Sequence, residues 1–185
     1  MSSNKSMAQR YTVISNNKDF EIRFYPSVTM ATITSTANSY KTLVTAGFRQ
    51  LAYFIFGGNE SKQQIAMTSP VHMDINDSLS SMSFVMPSQY NKKNLPKPVN
   101  PQVMINNTAE EYVAVIKFNG FAADRDIKKN TEKLEQLLKL NNISCYGSFR
   151  FLGYDTAFKL FGRKNEVIVS VNWDHSYTDR LNEIK

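Results

Sequence analysis

The chain has 185 residues, a net charge of +6 and 42% hydrophobic residues, with 12 Phe, 9 Tyr and one Trp. That supplies enough apolar and aromatic side chain for one domain with its own core and excludes a wholly disordered chain. No run approaches the roughly 20 consecutive apolar residues of a membrane-spanning helix. The lone Cys145 excludes an internal disulfide and any site built from several cysteines.

Residues 1–9 are polar and are expected to be a flexible tail ahead of a single domain over 10–175, with a second polar tail at 176–185. The opening segment lacks the apolar run of a secretory signal, so a cytoplasmic location is expected. In Glu21-Ile22-Arg23-Phe24-Tyr25 the alternation predicts a strand, with Ile22 and Phe24 on one face and Glu21, Arg23 and Tyr25 on the other. After Pro26, the β-branched run Val28–Thr34 predicts another strand. A helix follows, capped by Asn38 or Ser39, with Val44, Phe48, Leu51 and Ile55 as its core stripe and Gly57-Gly58 as its stop. Two alternating strands follow, one through Ile65, Met67, Val71, Met73 and Ile75, the other through Met82, Phe84 and Met86. Their methionines are expected to fill the core. Residues 88–102 read as a surface loop.

The order then repeats. Tyr112–Phe118 is a predicted strand, and Asp124 caps a predicted helix that buries Ile127, Leu134, Leu137 and Leu138. Ser148–Leu152 and Ala157–Phe161 read as extended. Glu166–Trp173 is the last strand, with Val167, Val169, Val171 and Trp173 on one face and Glu166 on the other. The expected fold is α+β: a distorted β-barrel or curved sheets of two pseudo-repeated halves, flanked by two α-helices. Basic residues are scattered. In the densest stretch, Arg125–Lys139, they alternate with Asp126, Glu132 and Glu135, as on a solvated helix face, so a nucleic-acid partner is not expected. Hydrolase elbows, zinc-protease motifs and nucleotide-binding glycine loops are absent, so no catalytic residue and no metal site are assigned.

An ordered set of local strings resembles the SOUL family of haem-binding proteins. It begins with Glu21–Tyr25, Phe48-x-x-Leu51-x-x-Phe54-Ile55-Phe56 with Gly57-Gly58-Asn59, Ile65–Val71 and Phe84-Val85-Met86-Pro87. It continues through Pro96-Lys97-Pro98, Phe118-Asn119-Gly120, Gly153-Tyr154-Asp155 and Arg163–Val167. The resemblance implies non-covalent binding of haem or a related tetrapyrrole, as carrier, buffer or sensor, and kinship with drug-binding domains of the same duplicated fold. The chain departs from the family pattern at Phe54, where a Tyr hydroxyl is usual.

On that reading, Arg49, Tyr53 and Phe56 stand at i, i+4 and i+7 and could offer a porphyrin two rings and a propionate partner. His72 is a candidate iron ligand, although its strand position beside Asp74 also predicts simple exposure. His175 reads as a solvated residue of the tail. Arg23 and Glu166 are candidates for a central cavity, as a structural ion pair or, alternatively, with Glu166 as the acid or base of a small-molecule-binding or hydrolytic protein. A third alternative makes the aromatic helix face a protein-interaction surface.

Overall fold

A computed structural model describes residues 7–154 and 162–174. In chain order the elements are β1 (Met7–Ala8), β2 (Thr12–Asn16), β3 (Glu21–Tyr25), β4 (Thr29–Ser35), α1 (Tyr40–Ile55), β5 (Thr68–Ser69) and β6 (Val71–Asp74). They continue with β7 (Ser80–Val85), β8 (Met104–Asn107), β9 (Glu111–Asn119), α2 (Asp124–Leu140), β10 (Cys145–Gly153) and β11 (Lys164–Val171). Among the described residues, nine strands form one antiparallel sheet in the order β2-β3-β9-β11-β10-β6-β7-β4-β8. β1 pairs in parallel with β5.

The fold is α+β with two repeated halves, as expected, but the curved sheet is open rather than a closed barrel. Its edge strands, β2 and β8, are largely exposed and do not pair with each other. Each half follows one plan. A strand leads into a helix, and two strands return so that the last lies beside the first: β4-α1-β6-β7 and β9-α2-β10-β11. The halves meet where β6 pairs with β10.

Both helices lie on one face of the sheet, α1 on β4 and β7, α2 on β9, β10 and β11. The core under α1 contains Ile33, Leu43, Leu51, Phe54, Met73, Met82 and Phe84. The core under α2 contains Ile22, Leu134, Leu138, Val167 and Val169. Burying each large aliphatic or aromatic side chain contributes about 1.5–3 kcal/mol. Strand alternation turns Tyr25, Val113, Val115, Leu152 and Ile168 to the opposite, helix-free face.

Ser39 starts α1 from an extended conformation, and its Oγ accepts the Thr42 N–H at 3.3 Å. The buried positions of α1 are Leu43, Gly47, Leu51, Phe54 and Ile55, which corrects the expected stripe: Val44 is half-buried and Phe48 is 38% exposed. Gly47 sets this rotation. A Cβ there would lie 3.1 Å from Ile33 Cγ2 and 3.3 Å from Met82, so the helix backbone itself rests on the sheet. α2 begins one residue after Ala123. Asp124 is its first residue rather than its cap, and its carboxylate accepts the Tyr40 N–H at 2.6 Å, serving the free N-terminus of α1.

Three strands fall outside the expected ones. β1 takes Met7 and Ala8 out of the expected tail, while β2 and β8 are short edge strands. The expected strand at 157–161, His175 and the tail at 176–185 lie outside the described residues. Among the described residues, no helix is long and apolar enough to cross a membrane.

Candidate functional site

The end of α1 carries Arg49, Tyr53 and Phe56 on its outer side, with all three exposed. Tyr53 is 59% exposed and Phe56, the C-cap of the helix, 64%. The turn that follows holds them in place. Gly57 takes φ +110, and the Gly58 N–H donates to Tyr53 O at 2.8 Å. The buried Asn59 donates its amide to Phe54 O and Gln63 O at 3.1 and 2.8 Å and accepts the Gln63 N–H at 3.0 Å. A Cβ on Gly58 would meet the Tyr53 ring at 2.4 Å, so glycine lets the ring lie against the turn. Val99, 58% exposed, borders the patch through its N–H to Gly58 O at 3.0 Å.

Among the described residues, neither ring stacks on another aromatic and Arg49 forms no ion pair. The three positions recur about every turn along one helix side. Phe54, the departure from the family pattern, is fully buried beneath this surface and packs the core.

His72 is not brought to this patch. It pairs across β6 with Leu152 and Ser83, facing away from Met73, which packs under α1. The expected exposure is also corrected: His72 is buried, because the chain at Gln9 folds over it, and His72 Nε2 meets Gln9 Oε1 at 2.7 Å. Burial, and then the Arg150 charge, push its pKa down to about 3, so the ring is neutral. Since Gln9 Oε1 can only accept, Nε2 carries the hydrogen. In this arrangement that nitrogen has no free lone pair for iron.

Arg23 and Glu166 meet on the helix-free face. Arg23 is fully buried, and its two terminal nitrogens donate to the two Glu166 oxygens at 2.9 and 2.8 Å. Tyr154 donates its hydroxyl to Glu166 Oε2 at 2.7 Å, Arg23 reaches the Tyr25 hydroxyl at 3.2 Å, and Arg23 Nε donates to Glu21 at 2.8 Å. Lys117 also pairs with Glu21. Burial acts to lower the Arg23 pKa, but Glu166 outweighs it and raises the value. Burial likewise pushes Tyr25 up to about 12 and Tyr154 well above the usual phenol range. At Glu21 burial opposes ionisation, yet Lys117 and Arg23 together hold the carboxyl below its usual value. Glu166 has both oxygens engaged, by Arg23 and by Tyr154. The cluster is an ion-pair network and offers no base.

A second pair shares this face. Arg150 forks onto Glu111 at 2.8 and 2.9 Å, and Ser170 donates to Glu111 at 2.6 Å. Sequence reading missed Gln9, Tyr154 and the Arg150–Glu111 pair. Only the face shared by Glu21, Arg23 and Tyr25 carried a signal, through its alternation. Cys145 is exposed, and no cluster of metal-ligating side chains occurs among the described residues.

A duplicated helix–sheet unit defines a small domain of α+β type. The same fold is found in the C-terminal domain of EcmrR, with a TM-score of 0.67 over 84% of this chain and 98% of that one at 8% identity. Residues 7–170 match the SOUL heme-binding protein family, and the chain belongs to it. It is 28% identical to human (Homo sapiens) Heme-binding protein 2 over 159 residues, covering 80% of this chain and 76% of that protein. It is 30% identical to the mouse (Mus musculus) Heme-binding protein 2 over 162 residues, covering the same shares of 80% and 76%.

Proposed function

We propose that this protein binds haem or a related tetrapyrrole non-covalently on the outer side of α1, as a carrier, buffer or sensor. The observation that carries this reading is the pair of exposed rings, Tyr53 and Phe56, on the same helix side as Arg49, which forms no ion pair among the described residues. The tetrapyrrole would supply flat apolar area and acidic side chains. Tyr53 and Phe56 would cover the ring, and Arg49 would pair with a propionate. The net charge of +6 favours an anionic ligand. Affinity comes from area and charge, with no role for His72 as ligand. The family membership and the names of the relatives support the same ligand class. A hydrolytic role for Glu166 is disfavoured by its ion pairing with Arg23. We infer a single domain working in the cytoplasm, a location that suits the exposed free thiol of Cys145.

Hemin titration followed at the Soret band tests this. Saturable one-to-one binding is expected, lost in Arg49→Ala/Tyr53→Ala and retained in His72→Ala. Loss of binding with His72→Ala alone, in a folded protein, would overturn the assignment to α1. Absence of saturable binding in the wild type would overturn the function itself.

A further inference from the structure

A cavity of about 410 Å³ opens where Ala8, Gln9 and Arg10 cross the start of β4 and the chain leaving β7. It shares no lining residue with α1, and its size lies in the usual small-molecule range of about 300–1,000 Å³. Pro26, Val28, Val85 and Met86 give it an apolar wall.

Most hydroxyls around it are already engaged. Thr68 Oγ1 donates to Val85 O at 2.5 Å, Thr29 Oγ1 to Asn107 Oδ1 at 3.0 Å and Ser27 Oγ to Thr108 O at 2.6 Å. Gln9 differs. Its side chain is held by His72 through Oε1 at 2.7 Å, while its Nε2 has no partner among the described residues. Gln9 is only 9% exposed and lines the cavity. Arg10 is the only charged lining residue, and it forms no ion pair among the described residues. Gln9 and Arg10, with Ser88, Asn91 and Asn107, thus border a cavity that has an apolar wall and no carboxylate in its lining.

We propose that this cavity is a second binding site, for a compact apolar carboxylate. The carboxylate takes the Gln9 Nε2–H and the Arg10 guanidinium, and the hydrocarbon body lies along Pro26, Val28 and Met86. His72 is a positioning residue: it fixes which end of the Gln9 amide faces the ligand.

The test uses the full chain with decanoate as probe and decanol as its neutral counterpart, by isothermal titration and by NMR of the Gln9 side-chain amide and the His72 ring nitrogens. Saturable decanoate binding that shifts the Gln9 amide and protonated His72 Nε2 signals is expected. Decanol should bind more weakly. Arg10→Gln should weaken decanoate about tenfold, as for loss of one charge-assisted contact. Tyr53→Ala, which impairs the α1 site, should leave decanoate binding unchanged, so the two sites fail independently. The proposal is overturned if decanoate gives no saturable signal up to about 1 mM. Equal binding of decanol, or retention of full affinity in Arg10→Gln, would overturn it too.

Discussion

Replacing Glu166 by Leu asks how the helix-free face is held together. The change removes the acceptor of two Arg23 hydrogen bonds, at 2.9 and 2.8 Å, and of the Tyr154 hydroxyl at 2.7 Å. Arg23 is fully buried and Glu166 is 6% exposed, so water does little to screen the loss. Removing one partner of a buried ion pair costs about 3–5 kcal/mol. Arg23 would keep Glu21 on Nε at 2.8 Å, which sets the expected loss near the lower end, about 3 kcal/mol. For a chain of this size that lowers Tm by roughly 6–12 °C. Urea and thermal unfolding read both quantities. Adding Arg23→Met should recover much of the loss, because the two charges then leave the interior together. A loss below about 1 kcal/mol in Glu166→Leu would refute the reasoning. Simple additivity in the double variant would do the same.

Gly58→Ala puts a methyl 2.4 Å from the Tyr53 ring, so the ring must move. About 1–3 kcal/mol of stability should be lost, with weaker hemin binding in the same Soret titration. His72 makes stability depend on pH. The unfolded imidazole takes up a proton below its ordinary value of 6.5, while the folded one stays neutral down to about 3, so stability should fall as pH drops through that window. Urea midpoints across the window should show a steeper decline in wild type than in His72→Gln. Ser39→Ala removes the oxygen that accepts the Thr42 N–H and should lower stability by about 1 kcal/mol in urea unfolding.

Strict alternation made the central strands legible. Val167, Val169 and Val171 face α2, and Ile22 lies with them, as their period of two requires. The rotation of α1 was harder to read. Gly47 buries backbone without adding apolar side chain, so hydropathy favoured Val44 and Phe48 over the true Leu43-Gly47-Leu51 line. Short polar edges such as β8 have no buried face to mark them. Arg49, Tyr53 and Phe56 were legible as one helix side because spacing alone determines that. The burial of His72 was not, since its cover comes from Gln9, distant in sequence and part of a segment with no strand signal.

The seam between β6 and β10 is four residue pairs long, from Arg150 opposite Asp74 to Gly153 opposite Val71, and it lies at the midpoint of the repeated strand order. Two antiparallel strands related in this way form a self-complementary contact, the kind through which two copies of a half-length chain would close as a homodimer. Covalent fusion makes that contact intramolecular. Assembly then no longer depends on concentration, and the two halves are free to diverge. One helix can keep exposed rings while its counterpart becomes a charged, solvated cover.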